Sequence, residues 1–170
     1  MSQFEYLMPS TIDEAISLLV SRGERAKFVA GGTDVMVKIK EGKITPKVLV
    51  SLRRVQGLDQ ITYKEGELRI GALVTHRMLE LSPVIRKEVP ILIDAVTNIG
   101  SVQIRNVATI GGNIVNAVPS ADGAIPLITL GAQARIRGPK GERSMALLDL
   151  YIGPGQTLLE PGEILLEFVI

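Results

Sequence analysis

Two short glycine loops have the residue types and spacing to bind an anionic ligand. The first spans residues 28–36, with the sequence FVAGGTDVM, and the second spans residues 108–116, with the sequence ATIGGNIVN. In each loop an apolar run leads into two adjacent glycines. Paired glycines let a backbone approach a ligand closely, and successive free amides form an anion site. The pattern predicts that two amide-rich loops clamp a diphosphate without a Lys or Arg.

A single Gly-Gly pair after a strand is more often a plain tight turn, so each loop alone is weak evidence. Neither loop has the G-x-G-x-x-G pattern, and neither is followed by Gly-Lys-Ser/Thr. This argues against a Rossmann dinucleotide fold and against a P-loop nucleotidase. His76 is the only histidine. It is predicted on a short helix in a surface or capping role, with no carboxylate to pair with in catalysis.

The composition is that of a globular chain, with 46% apolar and 22% charged residues among 170. Lys and Arg total 19, against 18 Asp and Glu, and there are three Phe, three Tyr and no Trp. The balanced charge and the few aromatic rings argue against a nucleic-acid partner. The absence of cysteine excludes disulfides and cysteine-ligated iron–sulfur or zinc sites within the chain. It also fits a reducing cytoplasm, which is the expected location.

No membrane span is predicted. The longest apolar stretch, residues 124–134, is interrupted by Pro126, Thr129, Gly131 and Gln133. It is too short and too interrupted to cross a bilayer. The first ten residues lack a basic segment followed by an apolar one, so no signal peptide is expected.

The first third of the chain has the pattern of an α/β unit. A helix is predicted over residues 11–21, with Thr11 and Glu14 as a capping box and Gly23 as its stop. A strand over 27–30 then runs into the first glycine pair. Thr33 is predicted to cap a second helix that ends near residue 42, and a strand follows over 48–52.

The remaining residues predict a mixture of hairpins and short helices. The predicted elements are a hairpin over 61–70, helices over 75–81, 90–99 and 122–130, a strand over 107–110, a hairpin over 132–146 and a strand over 163–170. A weak boundary lies within residues 53–60. Because a strand pattern reaches the last residue, the natural protein is expected to continue beyond it.

Two strings carry a specific family resemblance: AGGTDVM at residues 30–36 and IGSVQIRNVATIGGNIVNAVPSADGAIPLI at residues 99–128. The chain resembles, over its whole length and in order, the FAD-binding subunits of the xanthine dehydrogenase and carbon monoxide dehydrogenase family. The resemblance implies the α+β, two-lobed FAD-binding fold of p-cresol methylhydroxylase and vanillyl-alcohol oxidase. A small N-terminal α/β lobe is expected over residues 1–55 and a larger mixed-sheet lobe over 56–170. The C-terminal domain of that family is expected to be absent.

The resemblance also implies which residues contact FAD. The first loop would surround the diphosphate with backbone amides, through Val29, Ala30, Gly31, Gly32, Thr33, Asp34 and Val35. The second loop would close on it from the other lobe, through Thr109, Ile110, Gly111, Gly112 and Asn113. Asp122 would accept hydrogen bonds from FAD hydroxyls. Ile99 and Leu159 would make apolar contacts, and Val115 would lie near the flavin ring.

The residues alone leave other interpretations open for several of these positions. Asp122 could equally cap the helix that follows it. Asp34 fits a charge at a helix start better than a phosphate contact, because two anions repel. Ile99, Val115 and Leu159 fit ordinary core positions by pattern. Arg105 and Asn106 could support the second loop without touching FAD.

The function that the resemblance implies is electron relay. Molybdopterin and iron–sulfur clusters would lie in partner subunits, a large and a small one. The flavin would pass their electrons to NAD, oxygen or another acceptor, and no catalytic residue or metal ligand is expected in this chain. Two alternatives are a stand-alone flavin oxidase or reductase of the same fold, and an α/β binding module that holds no flavin.

Overall fold

The N-terminal part of the chain forms a three-stranded parallel sheet. The computed structural model describes residues 3–118 and 121–170. The strands are β1 (Glu5–Leu7), β2 (Ala26–Val29) and β3 (Val48–Ser51), in the order β1-β3-β2. The central strand β3 is buried along its length, as its continuous apolar sequence predicts for a parallel strand covered on both faces.

Two helices connect these strands. The first, α1 (Ile12–Arg22), begins where the Glu14 amide donates to Thr11 Oγ1 at 3.2 Å, and ends at Gly23, which has a φ of 59°. The second, α2 (Val35–Lys40), follows the first glycine loop. The predicted α/β unit and the Thr11 cap are confirmed, whereas β1 has no counterpart among the predicted elements.

The start of α2 differs from the prediction. Asp34, not Thr33, occupies the N-cap position, and its side chain accepts no hydrogen bond from the helix amides. The Thr33 hydroxyl instead donates to the Asp34 carboxylate at 3.4 Å. Neither side chain therefore satisfies the amides at this helix end.

The second sheet is antiparallel and has five strands in the order β4-β5-β10-β6-β7. The remaining strands of the chain are β4 (Ile61–Lys64), β5 (Glu67–Gly71), β6 (Gln133–Gly138), β7 (Gly141–Ala146), β8 (Tyr151–Gly153), β9 (Gln156–Thr157) and β10 (Ile164–Val169). Both predicted hairpins are confirmed. The last predicted strand is confirmed too, and it lies at the centre of the sheet. The short β8-β9 pair forms a separate ribbon.

Short helices fill the connection between β5 and β6. They are α3 (His76–Leu81), α4 (Pro83–Glu88), α5 (Pro90–Thr97), α6 (Val102–Arg105), α7 (Ile110–Asn116) and α8 (Ala124–Thr129). Hydroxyl side chains cap four of them, through Thr75, Ser82, Ser101 and Thr109. The predicted helices near residues 75, 90 and 122 are confirmed in type, while α4, α6 and α7 were not predicted.

The predicted strand over residues 107–110 is wrong. Thr109 is extended, with φ −107° and ψ 151°, and makes one isolated bridge to Thr75. Its hydroxyl accepts from the Gly112 amide at 3.1 Å, which starts α7 at Ile110. The apolar run at 107–110 is a buried helix entry, and periodicity alone cannot separate a short buried run of this kind from a strand.

Three apolar clusters are found among the described residues, and the two larger ones hold the sheets and helices together. The larger lies between the five-stranded sheet and the short helices, and its fully buried members include Phe168, Ile136 and Leu92. The second cluster contains Ile16 and Val50 from the N-terminal unit together with Ile164 and Leu166 from β10 and Leu73, which follows β5. Because this cluster is shared, the two sheets form one packed unit. The arrangement confirms the predicted α+β class.

Among the residues described, no helix is long and apolar enough to cross a bilayer.

Candidate functional site

The two glycine loops meet at the junction between the two sheets. A Cβ atom at Gly31 would overlap the Val107 carbonyl oxygen, immediately before the second loop. A Cβ at Gly112 would lie 3.9 Å from the Ala30 Cβ. The predicted convergence of the loops is therefore confirmed.

Most of these glycines are required by contacts within the protein. A Cβ at Gly111 would lie 2.6 Å from the Ala72 carbonyl oxygen, and one at Gly112 would lie 2.9 Å from Thr109 Oγ1. With Gly31 against Val107, the glycines allow backbone to pack on backbone. The sequence predicts close approach to a ligand instead. Gly32 differs, because its φ of 84° favours glycine and a Cβ there would make only ordinary contacts, the nearest at 3.5 Å from Val29 Cγ2.

The first loop offers a row of free backbone amides. Within the described residues, the amides of 31–35 donate to no protein acceptor. The loop is half-buried apart from the exposed Asp34. Unpaired donors that are partly removed from water are costly unless a ligand or water accepts from them. The first loop therefore has the free amides that the prediction requires, and the binding of an anion by them stays a prediction.

The second loop does not offer the same row. The Ile110 amide donates to Val74 O and the Gly111 amide to Ala72 O, both at 2.9 Å. The Gly112 amide donates to Thr109 Oγ1 and the Asn113 amide to Thr109 O. The prediction of free amides in both loops is thus wrong for residues 110–113, because a helix begins there and its first amides are capped inside the protein.

Asn113 brings a side-chain acceptor to the junction. Its Oδ1 is buried and accepts no hydrogen bond from any described residue. A Cβ at Gly123 would lie 2.9 Å from that oxygen, so the chain next to Asp122 packs against Asn113. Asp122 itself is exposed, and α8 has no side-chain cap. The capping interpretation of Asp122 is therefore wrong, and no residue among 3–118 and 121–170 donates a hydrogen bond to its carboxylate.

Ile99 is held in place by a buried arginine. Arg105, 8% exposed, donates from Nη1 to Ile99 O at 3.2 Å and to Gly100 O at 3.3 Å. Its Nε donates to Glu80 Oε2 at 3.2 Å. Arg105 therefore supports the segment that carries Ile99, whereas the sequence interpretation had it support the second loop.

The predicted apolar contact residues lie in different surroundings. Ile99 and Leu159 are half-buried and pack against the larger apolar cluster. Val115 is 38% exposed on α7, so the core interpretation fails for this residue. Val29 is buried with Ile39 and Leu49, which leaves only its backbone for a ligand.

An apolar hollow of about 220 Å³ opens beside the C-terminal end of α7. Its lining includes Ala117, Ala121, Ile125, Tyr151 and Pro154. The Tyr151 hydroxyl is buried without a partner in the described part of the chain, and burial raises the pKa of Tyr151 to about 12. Tyr151 therefore stays neutral at physiological pH and cannot serve as a base there.

His76 is buried, so the predicted surface or capping role is wrong. The side chain is 1% exposed, and Thr75 caps the helix instead. Burial, and secondarily the nearby positive charge of Arg105, lowers the pKa of His76 to about 4. The imidazole is neutral at pH 7. The backbone of His76 is bonded to the start of the second loop, since its amide donates to Ala108 O.

The sequence argument missed one contact between the two loop-bearing helices. Lys38 Nζ on α2 donates to Asn116 Oδ1 on α7 at 2.5 Å. A lysine and an asparagine 78 positions apart carry no spacing signal that reveals such a bond.

The comparisons with known proteins agree on one family. The family of FAD-binding domains in molybdopterin dehydrogenase matches residues 2–170. Over 174 residues the chain is 35% identical to the nicotinate dehydrogenase FAD-subunit of Eubacterium barkeri, covering 100% of this chain and 59% of that protein. It is 37% identical to the xanthine dehydrogenase FAD-binding subunit of Escherichia coli O157:H7, covering 96% and 56%.

The fold agrees with the sequence matches. A solved structure of carbon monoxide dehydrogenase from Hydrogenophaga pseudoflava superposes with a TM-score of 0.97 at 32% identity. The match covers 99% of this chain and 58% of that one. The chain thus spans 56–59% of the length of the relatives and the structure named here.

Proposed function

Since this chain belongs to the family of FAD-binding domains of molybdopterin dehydrogenases, we propose that it holds FAD where its two glycine loops meet. The observation that carries the proposal is the row of free amides at residues 31–35, beside the second loop. FAD offers a diphosphate, a chain of hydroxyls and an apolar ring. The junction has a matching group for each.

The diphosphate is assigned to the first loop. Amides that donate to nothing in the described protein fit the oxygens of an anion, and such charge-assisted bonds are about twice as strong as neutral ones. Asp34 is exposed and sits at the helix start, so its carboxylate is not assigned to the phosphates. On the second loop, Ile110 and Gly111 support the site by packing, because their amides are already used.

The hydroxyls and the ring are assigned to the second lobe. Asn113 Oδ1 and the Asp122 carboxylate are acceptors without protein donors in the described part of the chain, and they fit ligand hydroxyls. The exposed Val115 fits an apolar ring, with Ile99 and Leu159 as further apolar contacts. The chemistry that FAD supplies when bound is the transfer of electrons at its isoalloxazine ring.

At the scale of the whole protein, we assign this chain to a flavin subunit that relays electrons. The electrons would come from iron–sulfur clusters of a small partner subunit, after a molybdopterin subunit has oxidised the substrate. NAD or another acceptor would receive them. The chain's own residues bind and orient the cofactor, and no nucleophile or general base is required of them. The assignment is supported by relatives described as FAD subunits of dehydrogenases.

Cofactor binding is tested on the purified chain. We expect a yellow protein, and after removal of flavin we expect added FAD to raise the melting temperature. At a free concentration of about 100 times Kd, binding stabilises by roughly 2.7 kcal/mol, which corresponds to about 5–10 °C for a chain of this size. A colourless protein whose melting temperature does not change when FAD is added would favour the binding-module alternative.

The relay is tested in the assembled enzyme. With the molybdopterin and iron–sulfur subunits present, reducing substrate should bleach the flavin absorbance. Omitting the iron–sulfur subunit should prevent bleaching. Flavin reduction at an unchanged rate without that subunit would reject the relay and favour a stand-alone oxidase or reductase. Adding NAD to the reduced complex then shows whether NAD is the acceptor.

A further inference from the structure

Lys38 and Asn116 connect the two helices that start at the glycine loops. The ammonium of Lys38 donates to the side-chain oxygen of Asn116 at 2.5 Å, and the bond is partly buried. None of the ion pairs found between described residues includes Lys38. The ammonium of Lys38 is therefore bonded to a neutral acceptor, the side-chain oxygen of Asn116 on α7.

The position of this bond relates it to both loops. Lys38 lies four residues beyond Asp34, and Asn116 lies four residues beyond Gly112. At a rise of about 1.5 Å per residue, Lys38 lies roughly 6 Å along its helix from Asp34, and Asn116 roughly 6 Å from Gly112. The helices thus touch at Lys38 and Asn116, one turn beyond the place where Ala30 of the first loop faces Gly112.

We propose that Lys38 and Asn116 are a positioning pair that sets the separation of the two glycine loops and thereby the affinity for the diphosphate of FAD. Neither residue is assigned a contact with the cofactor. A hydrogen bond from a charged donor fixes a distance more firmly than a neutral one. Loss of the bond frees α2 to shift against α7, so the amides of 31–35 meet the ligand less well aligned.

A second bond between the two lobes provides a matched control. Arg137 Nη2 on β6 donates to Asp13 Oδ1 on α1 at 2.6 Å. Like the Lys38 bond it connects the N-terminal unit to the rest of the chain. Neither α1 nor β6 carries a glycine loop, and Asp13 is 74% exposed. Its removal should leave the spacing of the loops unchanged.

The inference rests on the proposed function, and the test uses the full chain stripped of flavin. Binding of FAD and of ADP, which carries the diphosphate without a flavin, is measured by calorimetry for Lys38→Met, Asn116→Leu, the double variant and Arg137→Met. We expect Kd for both ligands to rise about tenfold in each single variant and no further in the double variant. Arg137→Met should bind both ligands like wild type, and Asn116→Asp, which keeps the acceptor oxygen, should stay within about threefold of wild type.

The melting temperatures of the flavin-free variants separate positioning from stability. If the affinity losses scale with melting temperature, or if Arg137→Met loses as much affinity as Lys38→Met, the pair is merely structural and the inference is overturned. If Lys38→Met loses affinity while Asn116→Leu does not, Lys38 contacts phosphate directly and the positioning role is also overturned. Failure of the wild-type chain to bind FAD would instead reject the proposed function itself.

Discussion

At the scale of single residues, the side chain of Asn113 is expected to destabilise the flavin-free protein and to strengthen the binding of FAD. Its Oδ1 is buried without a donor in the described part of the chain. Such an unsatisfied acceptor costs about 1–3 kcal/mol. A site that keeps this cost in the free protein gains from a ligand that supplies the donor. This is a physical reason to place a ligand hydroxyl at Asn113.

The substitution Asn113→Leu should therefore change stability and binding in opposite directions. Leucine removes the unsatisfied oxygen and favours the helix, so the flavin-free chain should gain about 1 kcal/mol of unfolding free energy. The same change should raise Kd for FAD about tenfold or more. Urea unfolding and FAD titration measure the two effects. Unchanged FAD affinity would remove Asn113 from the site.

His76 makes stability depend on pH. Its pKa in the folded chain is lowered to about 4, mainly by burial and further by the charge of Arg105, whereas an unfolded histidine titrates near 6.5. Between pH 4 and pH 6.5, His76 is protonated in the unfolded chain and neutral in the folded chain. The contribution of neutral His76 is therefore complete above pH 6.5 and is lost as pH falls towards 4, by about 3 kcal/mol.

The variant His76→Gln, which has no proton to gain, isolates this contribution. Urea unfolding at pH 7, 5.5 and 4.5 should show a steeper loss for wild type than for the variant. Hydrogen bonds from Arg77 to Glu80 and from Arg143 to Glu163 lower the pKa values of the two carboxyls. Their protonation in acid lowers the unfolding free energy of wild type and variant by the same amount. Parallel curves for the two proteins would show that His76 is protonated in the folded state.

The sequence indicates which residues could bind a ligand, but it does not show which residues are buried or which residues they contact. The family resemblance of residues 99–128 singled out Asn113 and Asp122, and their contact with FAD stays a prediction. Sequence reasoning placed His76 at the surface, because burial depends on Arg105 and α6, which approach from elsewhere in the chain. Lys38 and Asn116 were missed for the same reason.

At the scale of elements, Gly31 of the first loop acts on the packing between this loop and the residues at the start of the second loop. The space for a side chain at Gly31 is filled by the backbone of Val107 and Ala108. Backbone cannot yield as a flexible side chain does. A methyl group here would push the first loop away from the second, so the loops are close because glycine is present.

We therefore expect Gly31→Ala to cost about 3 kcal/mol or more of unfolding free energy. Gly42→Ala is the matched control at the end of α2. Gly42 has a φ of 72° but nothing within 4 Å of its Cβ position, so it should cost only about 1 kcal/mol of backbone strain. Should Gly31→Ala unfold like wild type and lose only FAD binding, the glycine serves the ligand, as the sequence first predicted.

Some helices and strands can be predicted from the local sequence pattern, and others cannot. The hairpins around Gly66 and Gly141 are visible because the turn residues separate two β-rich runs. Residues 107–110 look the same locally, yet the Thr109 hydroxyl caps a helix and the run makes only one bridge. Capping competes with strand pairing there, and the outcome is decided by contacts to Thr75, which the local sequence does not contain.

At the scale of the whole molecule, the order of motifs along the chain was the strongest signal. The family and the α+β class follow from that order and are confirmed by the family match and the fold comparison. The division into lobes at residues 55 and 56 stays a prediction. The structure adds that the two sheets share apolar side chains, among them Ile16, Val50, Ile164 and Leu166. A shared core opposes independent unfolding of the two parts.

A single unfolding transition is the expected consequence. When Leu166 and Ile164 on β10 lose their partners on α1 and β3, both sheets lose buried apolar area together. Calorimetry of the flavin-free chain should give one peak whose van't Hoff and calorimetric enthalpies agree, the test of two-state behaviour. FAD, by contacting both loops, should shift that peak as a whole. Two separate peaks, with FAD moving only one of them, would show that the lobes fold independently and that the cofactor is held by one lobe rather than at the junction of both.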